Sequence, residues 1–247
     1  MQRSKTLKGL ERSILLEKLE EKYGNSSSFQ NKYLYWRKKT FWMFLVHGTK
    51  QIKRALDILL SSLALILLSP FILAIMLAIK LYDKGPILHS AQRVGKWGNE
   101  FSFHKFRTMK VGSEELKKDL VSQNHHLDDI KFKIKDDPRR TSIGKFLRKY
   151  SIDEIPQLWC VFKGDMTLVG PRPPLPEEVA KYSLEQRKRL DTTPGLTCIW
   201  QVSGRSDLSF EDQVSLDLQY IESQSLALDL KLIFRTIPAI LSGKGAY

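Results

Sequence analysis

Asp153 and Glu154 are neighbouring carboxylates in the window from Thr141 to Pro173, TSIGKFLRKYSIDEIPQLWCVFKGDMTLVGPRP, which also carries several cations. Adjacent acids can divide two jobs: one attacks phosphorus to give an acyl-phosphate, and the other holds a divalent cation. The apolar spacing of Ile155, Leu158, Trp159 and Phe162 predicts a helix opening at Ser151, with Pro156 tolerated in its first turn. Both acids then sit at a helix N-terminus, which also favours bound phosphate. The bland reading is a capping box from Ser151 to Glu154, with the acids merely complementing the helix dipole. On those four residues alone, the cap is the better reading.

Cations are spaced to meet an anion at the same place. A short strand over Asp165 to Val169 leads into Gly170-Pro171-Arg172-Pro173, a stiff turn that holds one guanidinium. So constrained, Arg172 suits bidentate recognition of phosphate, although surface arginines in proline-rich loops are commonly just solvated. Ile143, Phe146, Leu147 and Tyr150 define a short amphipathic helix with Lys145, Arg148 and Lys149 on its other faces. In AQRVGKWGNEFSFHKFRTM the glycines suggest a hairpin, with Phe101, Phe103 and Lys105 alternating along one strand. Arg93, Lys105 and Arg107 could face the anionic site or form a basic sheet face on anionic lipid.

The elements that must position these groups include a membrane segment. Ile58 to Ile79 carries no charge over about the 20 residues needed to cross a hydrocarbon core. Before it, Tyr33, Tyr35, Trp36, Phe41, Trp42 and Phe44 alternate with Lys32, Arg37, Lys38 and Lys39, a composition suited to the bilayer interface. Ser69-Pro70 falls midway along the apolar run, where proline removes a helical hydrogen bond. Lys50, Lys53 and Arg54 precede the run and Lys80 and Lys84 follow it, so neither end wins the positive-inside comparison. The combined expectation is a re-entrant helix-break-helix hairpin over 50–84 that dips into one leaflet, the alternative being a kinked spanning helix.

Residues 1–49 read as an amphipathic and aromatic extension, with helical spacing of Leu7, Leu10, Ile14 and Leu15 and a linker from Asn25 to Ser28. Residues 85–247 alternate short apolar runs and helical patterns, as expected of a cytoplasmic α+β catalytic domain with surface amphipathic helices. The final helix is expected over Leu226 to Leu241, ending near Gly243.

The chain has 247 residues and a formal net charge of +13, so its partners are expected to be anionic. Cys160 and Cys198 match no metal spacing and read as core thiols in a reducing compartment. The charged N-terminal sequence does not resemble a signal peptide. Asp128-Asp129, Asp136-Asp137 and His125-His126 read as solvated surface rather than metal ligands. There is no Walker A sequence, dinucleotide fingerprint or zinc-finger spacing, and the apolar segment argues against a nucleic-acid partner.

Several separate segments resemble the bacterial sugar transferase family, the monotopic phosphoglycosyl transferases of exopolysaccharide type. They are KRALDILL, RVGKWGNEFSFHKFRTM, Ser151 to Gln157, KGDMTLVGPRP and the terminal SGKGAY, covering roughly Lys53 to Tyr247. The resemblance implies that Asp153 is the nucleophile, Glu154 the Mg2+-binding partner and Arg172 the phosphate-binding arginine. It places Lys105, Arg107 and Arg148 at basic positions about the substrates, and Ser69-Pro70 at the break of the hairpin. Gly204-Arg205-Ser206-Asp207 is similar to a segment of exopolysaccharide-type members, either a substrate loop or a turn. Larger members carry several spanning helices where this chain has its polar and aromatic extension.

The expected reaction is ping-pong at the cytoplasmic face of a bacterial inner membrane. Asp153 attacks the β-phosphorus of a UDP-sugar, UMP leaves, and polyprenyl (undecaprenyl) phosphate takes the phosphosugar. Rival readings are a glycosyltransferase that releases UDP and a membrane-attached basic binding protein. The exposed N-terminal segment is compatible with binding lipid or a second copy in a homodimer.

Overall fold

A computed structural model of the chain describes residues 29–113 and 137–243. The segments expected at Leu7 to Leu19 and Asn25 to Ser28, the pairs His125-His126 and Asp128-Asp129, Asp136 and the last four residues lie outside that range. The chain divides into two compact units, Met1–Ala55 and Leu56–Tyr247. In the first, the described residues are helical from Phe29 onward, with Tyr33 and Trp36 exposed and the hydroxyl of Tyr35 accepting from Lys39 Nζ at 3.1 Å.

The helix α1 runs Phe29–Asp83 and contains Pro70. The expected break at Ser69-Pro70 therefore does not separate two helices. Pro70 has no N–H to offer the carbonyl of Ile66, one turn back, but the Ser69 hydroxyl donates to that carbonyl at 2.8 Å. Serine replaces the bond that proline removes, so the helical path can continue through it. Beyond Ala55, the buried residues Asp57, Ser61, Ile75 and Ile79 form one stripe at helical spacing. Most of the remaining surface is bare leucine and isoleucine: Ile66 and Leu67 are each 69% exposed. An apolar face of this length needs a non-aqueous covering, and the helix is long enough to enter a bilayer.

The globular part is mixed helix and sheet, as the sequence predicts. Strands β1 (Leu88–Val94) and β2 (Glu100–Phe106) form the expected antiparallel hairpin, pairing Leu88 with Phe106 and Val94 with Glu100. Its tip reverses through Trp97 (φ 58°) and Gly98 (φ 86°). Helix α2 (Ser142–Lys149) and helix α3 (Gln157–Lys163) follow. Strand β3 (Thr167–Val169), the core of the run expected from Asp165, pairs in parallel with β4 (Gly195–Thr197). Between them lie the short helices α4 (Pro176–Ala180) and α5 (Leu184–Arg187). Helices α6 (Phe210–Ser223) and α7 (Leu226–Ser242) close the fold, α7 ending at Gly243 in the left-handed region as its sequence predicts.

Two apolar clusters hold the site. Ile75 and Ile79 of α1 pack with Phe106 and Leu147, and Ile152 and Ile155 lie against this cluster. Phe103, Cys160, Val161 and Met166 form the second, joining β2, α3 and the approach to β3. Both cysteines are buried free thiols, as expected.

Candidate active site

The acid pair sits on a turn fixed from both sides. Thr141 caps α2 by accepting from Gly144 N at 2.9 Å, and the helix ends at Tyr150. Ser151 then takes a left-handed conformation (φ 52°), and Ile152–Glu154 makes one 3-10 turn before α3 begins at Gln157. The expected capping box is therefore not formed: Ser151 makes no side-chain cap bond, and both acids precede α3. A left-handed serine costs on the order of 1–3 kcal/mol, and such strain persists only where surroundings enforce it. Here Ile152 and Ile155, on either side of the acids, are packed against the cluster of Ile75, Ile79, Phe106 and Leu147.

Burial and charge make the two carboxylates unlike. Asp153 is 5% exposed. Lys105 Nζ, from β2, stands 3.6 Å from Asp153 Oδ2 and 2.7 Å from Glu154 Oε1. The same Glu154 oxygen is 3.2 Å from Arg172 Nη1. Burial raises the proton affinity of Asp153, and the charge of Glu154 adds to this, while Lys105, Arg148 and Arg172 only partly oppose it. Glu154 is desolvated too, yet Lys105 and Arg172 outweigh that and hold it well below the usual carboxylate range. Glu154 thus stays ionised while Asp153 is a more basic carboxylate.

Further cations surround the pair. Arg93 of β1 lies over the Phe103 ring and donates to the carbonyl of Pro173, bracing the turn that bears Arg172. Burial and the neighbouring Arg172 guanidinium push its pKa down to about 10. Arg148 donates to Thr108 Oγ1 at 2.9 Å while its charge acts on Asp153. Arg205, at φ 55°, has its pKa lowered by burial and feels the charge of Glu154. The segment from Gly204 to Asp207, expected as either a substrate loop or a turn, forms a 3-10 turn with Arg205 in electrostatic range of Glu154.

Of the named residues, Asp153, Glu154, Lys105 and Arg172 come together in direct ion pairs, with Arg148 in electrostatic range. Arg107 instead forms an ion pair with Asp83 at the end of α1, beside Tyr82, Thr141 and Ile143. Its strand parity matches that of Lys105, but the chain leaves β2 at Phe106. Asp137 is no solvated acid: it is buried and pairs with Arg139 at 2.7 Å. Asp207 is exposed in the turn Arg205–Asp207.

The donor set bears on a metal. Among the described residues no three His, Cys, Asp or Glu side chains converge as a cage. Two adjacent carboxylates, one firmly ionised, fit a cation such as Mg2+, which keeps several waters and takes further oxygens from substrate phosphates. They do not fit a closed structural site.

Residues 48–243 match the family described as bacterial sugar transferase, and the chain belongs to that family. It is 49% identical over 165 residues to a galactosyl transferase, CpsE, of Streptococcus agalactiae serotype III, covering 66% of this chain and 36% of that protein. It is 39% identical over 198 residues to the exopolysaccharide production protein ExoY of Rhizobium meliloti, covering 79% of this chain and 88% of that protein. The undecaprenyl-phosphate galactose phosphotransferase of Salmonella typhimurium is 39% identical over 203 residues, 81% of this chain and 42% of its own length. The chain thus spans well under half of two of these relatives and most of the third.

Proposed function

We propose that the chain transfers a sugar 1-phosphate from a UDP-sugar to polyprenyl phosphate, an early membrane step of exopolysaccharide or other surface-glycan synthesis. The observation that carries this reading is the convergence of adjacent carboxylates with two cations: Lys105 Nζ lies 3.6 Å from Asp153 and 2.7 Å from Glu154, whose same oxygen is 3.2 Å from Arg172 Nη1. Relatives named as undecaprenyl-phosphate galactose and glucose phosphotransferases support the same chemistry.

In the first step an Asp153 carboxylate oxygen bonds to the β-phosphorus of the donor while the bond from that phosphorus to the bridging oxygen breaks. UMP leaves with the bridging oxygen. In the second step a phosphate oxygen of the polyprenyl acceptor attacks the same phosphorus and displaces Asp153, giving polyprenyl-diphospho-sugar. Arg172 and Lys105, both paired with Glu154, would offset the charge that develops on the diphosphate. Glu154 would hold Mg2+, which when bound supplies positive charge to the diphosphate oxygens.

The location follows from the substrates. The donor is soluble and the acceptor phosphate lies at the lipid surface. Ile152 and Ile155, on either side of the acids, pack on a cluster that includes Ile75 and Ile79 of α1, which supports a site close to the apolar helix. The reading includes α1 entering the cytoplasmic face of a bacterial inner membrane; a re-entrant course, with both ends on the catalytic side, requires α1 to bend at Pro70 in the bilayer. Donor alone, with Mg2+, tests the covalent step: protein mass should rise by one phosphosugar as an equivalent of UMP appears. UMP release without any protein adduct would replace the two-step reaction with direct transfer.

A further inference from the structure

Asp57 is an acid at the start of the apolar run of α1, and it is 5% exposed. A carboxylate so placed needs partners, because desolvating an unpaired charge is costly. Both its oxygens have one on β3: Thr167 Oγ1 donates to Oδ2 at 2.7 Å and Leu168 N donates to Oδ1 at 2.9 Å. One turn further along α1, Ser61 is fully buried and its hydroxyl donates to the Asp57 carbonyl at 2.6 Å.

The strand that Asp57 grips leads directly to the site. After Val169 come Gly170, Pro171 and Arg172, whose guanidinium holds Glu154. The other end of β3 is clamped as well: Tyr220 Oη donates to the Val169 carbonyl at 2.8 Å and lies 2.7 Å from Asp229 Oδ1, all buried. Gly170 N donates to Thr197 O and Gly195 N to Pro171 O, so the turn hangs from a strand of three residues. A strand this short has few ladder bonds of its own, which leaves its register dependent on side-chain anchors. Asp57 provides one from the membrane helix.

We infer that Asp57 is a positioning residue that couples the seating of α1 to the placement of Arg172 over the acid pair. This rests on the proposed reaction for its catalytic consequence, but the anchor itself does not. The chemistry on either side of Asp57 fits a latch: α1 supplies one charged group in an apolar stretch, and β3 supplies one hydroxyl and one amide hydrogen to meet it. Misplacing a substrate-orienting cation by about 1 Å costs on the order of 100-fold in rate.

The experiment uses the full chain in lipid nanodiscs and four variants: Asp57→Ala, Asp57→Asn, Arg172→Ala and the double variant Asp57→Ala with Arg172→Ala. Asp57→Ala should lower kcat/KM for UMP release by on the order of 10- to 100-fold. In the Arg172→Ala background the same change should add little, because Asp57 acts through Arg172. Asp57→Asn should recover most activity, since its carbonyl can accept from Leu168 N while its amide donates to Thr167 Oγ1. Hydrogen exchange of the peptide spanning β3 and the Arg172 turn should quicken in Asp57→Ala and stay slow in Asp57→Asn.

Additive losses in the double variant, or unchanged exchange in Asp57→Ala, would overturn the inference. If Asp57→Ala fails to fold, Thr167→Val carries the same comparisons, removing only the hydroxyl donor. If the unaltered chain releases no UMP from any donor, the proposed reaction fails. The exchange comparison still decides whether Asp57 holds β3.

Discussion

Replacing Lys105 by methionine should make Asp153 harder to ionise and slow the reaction by an amount set by their separation. Lys105 Nζ lies 3.6 Å from Asp153 Oδ2. At an effective dielectric of about 20, unit charges at that distance attract by about 4.6 kcal/mol. The lysine side chain is 21% exposed, so solvent screening brings the useful part to roughly 2 kcal/mol. Lys105 favours the ionised form of Asp153, and its loss makes that carboxylate still harder to ionise. On the acid side of the Asp153 titration the nucleophilic form becomes scarcer and single-turnover UMP release should fall roughly 30-fold, the equivalent of 2 kcal/mol. The acid limb of the pH–rate profile should move to higher pH, with activity recovering in alkali. Glu154 loses the same lysine, at 2.7 Å, and keeps Arg172. A profile whose acid limb stays at the wild-type pH would refute this reasoning and leave Lys105 as a substrate contact only.

Asp153→Asn should abolish the phosphosugar adduct and raise the melting temperature at neutral pH. Asp153 has a raised folded pKa, so folding loses stability as pH climbs from the unfolded carboxylate value through the folded one; neutral asparagine escapes that loss. The gain should vanish below about pH 4, where the aspartate is protonated in both states. Arg172→Lys should keep the charge but lose the planar fork, giving steady-state activity between those of wild type and Arg172→Ala. Gly195→Ala should destabilise the fold by about 3 kcal/mol or more in denaturant titration, because its Cβ would lie 2.0 Å from Gly170 N. Single cysteines at Lys50 and Lys84 should both label from the cytoplasmic side if α1 is re-entrant; labelling from opposite sides would make α1 a spanning helix.

The parts of this molecule legible in its sequence are those set by local pattern. The hairpin, the turn around Arg172, the final helix and the apolar run each follow from periodicity and from glycine or proline placement. The acids, Lys105 and Arg172 were identifiable because their types, taken with the resemblance, fit one reaction. What escaped depended on contacts between distant segments. Ser151 looks like a cap, but it takes a left-handed turn where Ile152 and Ile155 pack on the cluster of Ile75, Ile79, Phe106 and Leu147. Arg107 looks equivalent to Lys105 by strand parity, yet Asp83, twenty-four residues back, claims it. Asp57 could be seen only as one acid before an apolar run, its partners lying more than a hundred residues ahead. Pro70 signalled a break that the Ser69 hydroxyl fills.

The most direct test of the central claim is the identity of the released nucleotide. Purified chain would be given UDP-galactose or UDP-glucose with Mg2+ and a short polyprenyl phosphate, and the nucleotide products separated. The account requires UMP, formed together with polyprenyl-diphospho-sugar. Release of UDP would contradict it and make the chain a simple glycosyltransferase.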